Sequence, residues 1–476
     1  MSDALHDLSA LEQYRLVQRR ELGVLELTDH YLERIERLDP SLGAFHTVTA
    51  EKARQRARDL DSADDRTAPL FGLPSGDKDL ARRAGVRTTF GSRLFEHVVP
   101  EASDEIVRQL DAAGTVSLGK TATPEFGLSG YTESSVAPPA RDPYDTRLGP
   151  GGSSGGAAVA VAAGLLPFAP GSDGGGSIRI PAAACGLVGL KPTRGLVPAL
   201  SGIGSLGGLS VAGPLARSVT DAAMLLDGMI ARRGGRIVHP FTLRAPEYDD
   251  GPYLGAAVRG EGRFQIGVTT DSPWRHDYDI TVAPEAEAAL AAARDGLEEL
   301  GHGMEELSLE PSPEYYGAFR TIWQVGASQI AADDDTEHLL EPLTRWLMHR
   351  GRALSAQQLA AALSTLSAFE RSIIRQFDRF DAVLTPTLAL TPRPIGWHDP
   401  DDGERNFEQQ VLYSPFTSFV NVSGLPAITL PVHRTAEGLP MGAQLIGRPG
   451  GEATLLALGR QLERRLRWET VHPPQW

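Results

Sequence analysis

The sequence predicts an α/β fold, because short apolar runs bounded by glycine and proline alternate with helical stretches from residue 70 onward. Gly114–Leu118 and Gln265–Thr269 have the short apolar character of strands. Gly156–Ala163 and the alanine-rich Pro284–Leu300 are typical of helices. Alternation of this kind is characteristic of helices packed on a central β-sheet.

The N-terminal part of the chain, residues 1–62, is predicted to be helical and rich in charge. Its apolar residues recur at helical spacing: Leu25, Leu27, Tyr31, Leu32 and Ile35. Asp39–Pro40 is predicted to end that segment, because proline lacks the amide hydrogen that a continuing helix needs. We therefore expect N-terminal helices that pack on an α/β core formed by residues 69–476. Polar, proline-containing sequence over residues 232–262 predicts a surface excursion.

The composition is that of an ordinary globular protein with an acidic balance. The net charge of −15 opposes binding to nucleic acid or to anionic membranes. No signal peptide is predicted at the start of the chain, and the longest apolar run, Ala157–Leu166, is too short to span a bilayer. The single cysteine, Cys185, rules out an intrachain disulfide and favours a cytoplasmic location. Length alone would predict two or three domains.

Two glycine-rich segments carry serine residues, and they are the most informative feature of the chain. Ser153 lies in GGSSGG and Ser177 in GSDGGGS. Glycine has no side chain to keep a ligand away, so its backbone approaches a substrate closely and points N–H groups at it. Such amides stabilise the oxyanion that forms when an activated serine attacks an acyl group. The pattern predicts a serine hydrolase that acts on amides.

A serine hydroxyl needs a base to accept its proton before it attacks an amide. None of the twelve histidines lies near either glycine-rich segment in the sequence. Lys78, in FGLPSGDKDL, is a candidate if burial lowers its pKa from about 10.4 towards neutrality. Most lysines are surface charges. The residues alone therefore leave the identity of the base open.

Lys78 and the two serine motifs together resemble the amidase signature family, whose members use a Ser-Ser-Lys triad. The resemblance runs from residue 20 to 465 and is most specific in the block Gly149–Thr193. The separations of 75 and 24 residues between Lys78, Ser153 and Ser177 agree with that family's usual spacing. Other matching segments are LFGLP–KDL, GKTATPEFG, AGPLARSVTDAAMLLD, FDAVLTPT, SPFTSFVNVSGLPAITLP and PMGAQLIGRPGGEATLLALGRQLE. The resemblance implies one α/β/α domain over residues 1–476, built around a large mixed β-sheet.

The resemblance also implies a role for each of these residues. Ser177 would be the nucleophile that forms an acyl-enzyme, and Ser153 would pass the proton from Ser177 to Lys78. In the family the bridging serine follows a cis peptide bond, which here would be Gly152–Ser153. The oxyanion would be held by the backbone amides of Gly174, Gly175, Gly176 and Ser177. The residues expected to support the site without performing chemistry are Ser154, Asp173 and Arg179.

The expected substrate is a small amide with an apolar acyl or aryl group, and esters, carbamates and anilides stay open. The residues expected to line its pocket are Phe126, Tyr131, Trp323 and Phe416. Aromatic residues from Tyr315 to Trp323 fit either the pocket or a helix face in the core. No metal or organic cofactor is expected, since metal-ligand spacings such as H-E-x-x-H do not occur. A homodimer is expected from the resemblance alone.

The sequence departs from the family pattern in two places. Asp77 directly precedes Lys78, where an apolar residue is common. An inward carboxylate would raise the pKa of the lysine, but alternation along an extended segment would point Asp77 to the opposite face. In SSVAPPARDPYDTRLGP, prolines stand where the family often has glycine and asparagine. This second departure leaves the shape of the pocket open.

Three alternatives compete with this interpretation. GGSSG, residues 151–155, formally matches the nucleophile elbow of α/β-hydrolases, which would make Ser153 the nucleophile of an esterase with an essential histidine. SLGK, residues 117–120, matches the S-x-x-K motif of penicillin-recognising enzymes. The A subunit of tRNA-dependent amidotransferases, a glutaminase with the same triad, would pass ammonia to a partner. Locating the serine modified by a fluorophosphonate would test the nucleophile elbow, and activity of the single chain on simple amides, without a partner or ATP, would test the amidotransferase alternative.

Overall fold

Two β-sheets organise the chain, of which the computed structural model describes residues 4–197, 206–230 and 253–476. The strands in chain order are β1 (Phe45–Val48), β2 (Pro74–Lys78), β3 (Val116–Thr121), β4 (Phe168–Asp173), β5 (Val188–Lys191), β6 (Val211–Ala216), β7 (Gln265–Val268), β8 (Gly303–Glu306), β9 (Ala382–Pro386), β10 (Ala427–Arg434) and β11 (Pro440–Gly447). The large sheet has eight strands in the order β4-β6-β5-β10-β11-β9-β7-β8, and the small sheet has the order β1-β3-β2. Pairing is parallel for β7 with β8 and β9 and for β2 with β3, and antiparallel elsewhere, so both sheets are mixed.

Fifteen α-helices surround these sheets within the described ranges. They are α1 (Ala10–Gln18), α2 (Val24–Leu42), α3 (Ala50–Asp61), α4 (Glu105–Ala112), α5 (Gly155–Ala162), α6 (Arg179–Ala184), α7 (Val219–Met229), α8 (Leu254–Arg259), α9 (Pro284–Glu299), α10 (Tyr315–Ser328), α11 (Pro342–Arg352), α12 (Ala356–Phe377), α13 (Gly403–Tyr413), α14 (Ser418–Ser423) and α15 (Glu452–Leu466). No helix in these ranges combines the length and apolar character needed to span a bilayer.

Both faces of the large sheet are buried. On the paired strands β10 and β11, Ala427 and Ile446 pack in a cluster with aromatic residues of α10 and α12. Their neighbours Ile428 and Leu445 pack in the main core with residues of α7, α9 and α15. Because successive side chains of a strand point to opposite faces, helices cover the sheet on both sides. The predicted α/β class with a large mixed sheet is confirmed.

Most elements predicted from the sequence are observed, but one boundary is wrong, and the segment 1–62 that was predicted to be helical also contains the strand β1 at Phe45–Val48. The strands expected near residues 114 and 265 are β3 and β7, and the helices expected near residues 156 and 284 are α5 and α9. The helix predicted to end at Asp39–Pro40 instead continues as α2 to Leu42. Pro40 lies in the last turn, where its missing N–H removes a single helical bond. The helix ends at Gly43, which adopts the left-handed conformation (φ +64°) and donates its N–H to the carbonyl of Asp39.

The N-terminal helices share the main core with the sheet. Val17 of α1, Leu27 of α2 and Ala57 of α3 belong to the same buried cluster as Leu225 of α7. Of the surface excursion predicted over residues 232–262, residues 232–252 lie outside the described residues. The part that is described is not wholly irregular, since residues 254–259 form α8.

The two sheets meet where the chemically active residues lie. Strand β2 of the small sheet packs against β4 of the large sheet, so the ends of these strands are neighbours. The two glycine-rich segments lead into α5 and α6 at the same place. Glycine is required for this close approach, because a Cβ on Gly156 would lie 2.2 Å from the backbone nitrogen of Ala122. A larger residue would push α5 away from β3.

Candidate active site

The amine of Lys78 lies at the centre of a cluster of serine hydroxyls. Lys78 is the last residue of β2 and is only 4% exposed. Its Nζ lies 2.8 Å from Oγ of Ser153 and 2.9 Å from Oγ of Ser154. It also lies 3.0 Å from Oγ of Ser172, at the end of β4. The structure thus brings Lys78, Ser153 and Ser154 together, as the sequence predicts, and adds Ser172.

Burial gives this lysine the properties of a base. Removal from water disfavours the charged ammonium and lowers the pKa of Lys78 to about 7, although the negative charge of Asp173 opposes the shift. A neutral amine has two N–H donors and one lone pair. With three hydroxyls around it, the neutral amine can donate to two and accept from the third. The site therefore provides a hydroxyl that can give its proton to the amine.

Asp77 does not contact this amine. Its carboxylate accepts hydrogen bonds from Nε of Arg83 at 2.5 Å and from Oγ of Ser117 at 2.9 Å. Because β2 is extended, Asp77 and Lys78 point to opposite sides, as expected from the alternation. The neighbouring carboxylate is thus neutralised by an arginine away from the base.

The two serine segments are joined through their backbones. The Gly152–Ser153 peptide bond is cis, and Ser153 is 2% exposed. The N–H of Ser154 donates to the carbonyl of Ser177 at 3.1 Å. Within the part of the chain that the structure describes, no hydrogen bond joins the hydroxyls of Ser153 and Ser177. The geometry links Lys78 directly to Ser153 and places Ser177 beside them through the backbone.

The glycine-rich loop after β4 presents free backbone amides beside Ser177. In the described structure, the N–H groups of Gly174, Gly175 and Ser177 have no hydrogen-bond acceptor. The N–H of Gly176 instead donates to Oδ1 of Asp173 at 2.7 Å. The expectation that Gly176 belongs to the oxyanion site is therefore corrected, because its amide is already bound by a carboxylate.

A buried ion pair holds this loop in place. Asp173 and Arg179 are fully buried, and the guanidinium donates to both carboxylate oxygens at 2.9 Å. Asn421 of α14 donates to Oδ1 of Asp173 at 2.8 Å. Burial alone would raise the pKa of Asp173, but Arg179, Lys191 and Asn421 together hold it well below its usual range. Asp173 thus remains charged and fixes both ends of the loop.

Ser177 opens onto a cavity of about 70 Å³ with largely apolar walls. The residues around it are Leu128, Ser129, Gly130, Gly175, Ile180, Trp274, Phe319, Trp323, Phe407, Gln410, Val411, Ser414 and Ser418. None of these described lining residues carries a charged side chain. Several of its polar groups already have partners: Ser418 contacts Nε1 of Trp274 at 2.9 Å, and Gln410 accepts from the N–H of Gly130 at 2.9 Å.

Of the four predicted pocket residues, only Trp323 lines this cavity. Phe126 packs against Phe95, with ring centroids 5.8 Å apart. The ring of Tyr131 stacks on His398 at 4.0 Å, and its hydroxyl accepts from Asn406. Phe416 is fully buried. These three predictions are corrected, because the side chains are used in packing beside the cavity.

The pocket prediction named neither Trp274 nor Phe407, and it left Phe319 open between the pocket and the core. Trp274, Phe319 and Phe407 line the cavity together with Trp323. Phe319 and Trp323 are one helical turn apart on α10 and their rings stack at 5.6 Å. That spacing is visible in the sequence as an aromatic stripe. Ser172 was missed because its contact with Lys78 depends on the packing of β2 against β4.

The S-x-x-K hypothesis does not fit the structure. Lys120 forms a buried ion pair with Asp79 at 3.4 Å, and Ser117 donates to Asp77. Neither residue lines the cavity at Ser177.

The single cysteine is also outside the site. Cys185 is fully buried, and burial raises the pKa of its thiol. Lys120, Ser117 and Cys185 therefore have structural surroundings away from the cavity.

The architecture and the Lys78 cluster agree with a comparison of the sequence against known families. Residues 26–456 match the family described as Amidase. The chain belongs to the amidase signature family. This amidase is therefore a hydrolase that acts on carbon–nitrogen bonds of amides. The α/β-hydrolase alternative is wrong, since the fold differs and residues 146–152 before Ser153 form no strand.

Similar proteins cover almost the whole length of this amidase. The putative amidase AmiB2 of Mycobacterium tuberculosis (strain ATCC 25618 / H37Rv) is 37% identical over 469 residues, covering 98% of this chain and 97% of that protein. The A subunit of the glutamyl-tRNA(Gln) amidotransferase of Roseiflexus sp. (strain RS-1) is 34% identical, with 98% of each chain covered. The solved structure of 6-aminohexanoate cyclic dimer hydrolase has a TM-score of 0.88 at 29% identity, covering 99% of this chain and 100% of that chain.

Proposed function

We propose that this chain is a serine amidase that hydrolyses small amides with an apolar acyl or aryl group through an acyl-enzyme on Ser177. The observation that carries the proposal is the buried amine of Lys78, 2.8 Å from the hydroxyl of Ser153. A base with a pKa of about 7 is uncharged in a large fraction of molecules at neutral pH. It therefore accepts a proton under ordinary conditions.

The reaction begins when the hydroxyl of Ser177 attacks the amide carbonyl carbon. As the C–O bond forms, the proton of Ser177 passes to Ser153, and the proton of Ser153 passes to Nζ of Lys78. Catalytic hydrogen bonds commonly tighten only when substrate is bound, so the missing contact between the serine hydroxyls forms at this stage. When the C–N bond breaks, the proton returns along the same route to the leaving amine. Water then attacks the acyl-enzyme, releases the acid and restores Ser177.

The negative charge on the carbonyl oxygen is held by backbone amides. Gly174, Gly175 and Ser177 supply N–H groups that have no acceptor in the described structure. Donors fixed in advance stabilise the developing oxyanion without reorganising, and loss of one typically costs about 10²–10³-fold in rate. The Asp173–Arg179 pair contributes by keeping the loop in its conformation.

The walls of the cavity favour a neutral, apolar substrate. Trp274, Phe319, Trp323 and Phe407 offer aromatic surface, and no charged side chain among the described lining residues could pair with an ionised substrate. Glutamine carries both an ammonium and a carboxylate, so the cavity gives little support to the glutaminase alternative. The likeness to 6-aminohexanoate cyclic dimer hydrolase supports an amide between aliphatic segments. We further propose that the chain folds as one domain and acts in the cytoplasm.

Turnover of a substrate panel by the purified chain, without a partner or ATP, tests the proposal. We expect hydrolysis of neutral aryl and alkyl amides, little hydrolysis of glutamine, and loss of about 10⁴-fold or more in Ser177→Ala. Glutamine as the preferred substrate would support the amidotransferase alternative instead. Near-normal turnover in Ser177→Ala would exclude the mechanism.

A further inference from the structure

A second cavity contacts Lys78 and is separate from the cavity at Ser177. It has a volume of about 30 Å³ and shares no lining residue with the first. Its walls are mostly apolar and include Val107 and Leu110 of α4 and Ala212 of β6. Each of these three residues is at most 3% exposed. The base is therefore bordered on one side by an apolar space that the reaction does not use.

A water molecule in this space would find few hydrogen-bond partners. A cavity of this volume has room for a water molecule, but a buried water needs two to four polar partners. The polar side chains of the residues that line it already have partners elsewhere or in the Lys78 cluster. The carboxylate of Asp77 is bound by Arg83 and Ser117, and the hydroxyl of Ser172 contacts Lys78. The space therefore offers few hydrogen-bond partners to a water molecule and little solvation to an ammonium group.

The charged groups around Lys78 do not account for a neutral amine. On the elements packed around it they form pairs with one another: Asp77 and Asp111 with Arg83, Asp79 with Lys120, Glu105 with Arg108, and Asp173 with Arg179. The charge of Asp173 favours the ammonium form, opposite to what a base requires. Exclusion of water must therefore outweigh this carboxylate.

We propose that Val107, Leu110 and Ala212 form a water-excluding wall that keeps Lys78 in its uncharged, proton-accepting form near neutral pH. They are positioning residues, because they act on the base and contact no substrate. The inference rests on the proposed function for the role of Lys78. It predicts that a single hydroxyl placed in the wall changes the protonation of the lysine without touching the cavity at Ser177.

The variant Ala212→Ser tests the wall, with Ala216→Ser as the matched control. Both alanines lie on β6 and are buried, but only Ala212 borders the cavity. A serine at position 212 supplies a partner for a water molecule or for the ammonium itself. We expect the protonation midpoint of Lys78 to rise by about one pH unit in Ala212→Ser, because solvation favours the charged form. The midpoint should not move in Ala216→Ser.

The protonation of Lys78 is measured directly by NMR of lysine labelled at the ε carbon. The chain has four lysines, Lys52, Lys78, Lys120 and Lys191, so four signals are expected. Loss of one signal in Lys78→Met assigns it. The pH dependence of kcat/KM on a neutral amide is measured on the same variants. If Ala212→Ser fails to fold, Val107→Thr places a hydroxyl in the same cavity from α4.

The outcomes separate this inference from the proposed function. A rise of the Lys78 midpoint together with the acidic limb of kcat/KM supports both. If the protonation midpoint of Lys78 rises but the acidic limb of kcat/KM stays where it was, the water-excluding wall is supported and Lys78 is not the catalytic base. An unchanged midpoint in Ala212→Ser and Val107→Thr, or an equal rise in Ala216→Ser, overturns the inference.

Discussion

At the scale of single residues, the proposed chemistry depends on a lysine whose amine contacts hydroxyls and no carboxylate. The Nζ of Lys78 meets Ser153, Ser154 and Ser172, all within 3.0 Å. A directly bound carboxylate would hold the ammonium form and keep its proton in place. A hydroxyl can act as a hydrogen-bond donor or as an acceptor, so the same cluster can bind both the neutral and the protonated amine. This arrangement lets Lys78 take a proton and return it.

We expect the acidic limb of the rate profile to report the protonation of the Lys78 amine. Protonated lysine has no lone pair, so kcat/KM should fall as the pH drops through about 7 and reach its plateau above that pH. Lys78→Arg should be inactive at every pH, because a guanidinium is never deprotonated in proteins. The measurement is kcat/KM on a neutral amide across the range in which the protein stays folded.

A second buried lysine provides the control for this profile. Burial, aided by the charge of Arg179, lowers the pKa of Lys191 to about 7 as well. Its amine donates to the carbonyl of Pro192 and contacts neither serine segment in the described structure. Lys191→Met should therefore keep the acidic limb. A flat profile in the wild type, or loss of the limb in Lys191→Met alone, would contradict the assignment to Lys78.

Residue identities in the site were largely predictable from the sequence. Lys78, Ser153 and Ser154 stand out because the motifs that contain them are long and specific. Ser172 was not predictable, because its contact with Lys78 arises from the packing of two different sheets. The hydrogen bond from the Gly176 amide to Asp173 was also not predictable, since no sequence pattern shows that a neighbouring carboxylate binds this amide.

At the scale of elements, the loop between β4 and α6 depends on a buried ion pair. Asp173→Asn leaves the guanidinium of Arg179 buried without a counter-charge, and we expect a loss of about 3–5 kcal/mol in the free energy of unfolding. Removal of this charge should also lower the pKa of Lys78 further, moving the acidic limb to lower pH. Denaturant unfolding and the rate profile measure the two effects.

An exposed ion pair offers a matched comparison for this variant. Asp145 and Arg147 form a bidentate pair in which the arginine is 87% exposed. Asp145→Asn should leave stability and the rate profile nearly unchanged, because solvent screens the pair. Equal destabilisation by both variants would show that burial of the Asp173–Arg179 pair is unimportant.

The pocket shows why elements are easier to predict than the direction in which they face. The spacing of Phe319 and Trp323 predicts one face of a helix, and α10 presents that face to Ser177. Phe416 has the same aromatic character but is fully buried. Its position depends on the long-range packing of α14 and β11, which the local sequence does not encode.

At the scale of the whole molecule, the candidate site lies where strands of the eight-stranded and the three-stranded sheet pack together. The alternation of strand-like and helix-like segments predicted the α/β class correctly. It did not predict that Lys78 lies on a separate three-stranded sheet. The proposed base lies on the small sheet and the proposed nucleophile follows β4 of the large sheet, so the contact between β2 and β4 brings the two residues together.

The identity of the residue that carries the acyl group tests the proposed mechanism most directly. The purified chain is treated with a fluorophosphonate, digested and examined by mass spectrometry, alongside Lys78→Met. We expect an adduct on Ser177 in the wild type and very slow labelling in Lys78→Met, because the serine then lacks its proton acceptor. An adduct on Ser153, or equal labelling of Ser177 in both proteins, would contradict the mechanism.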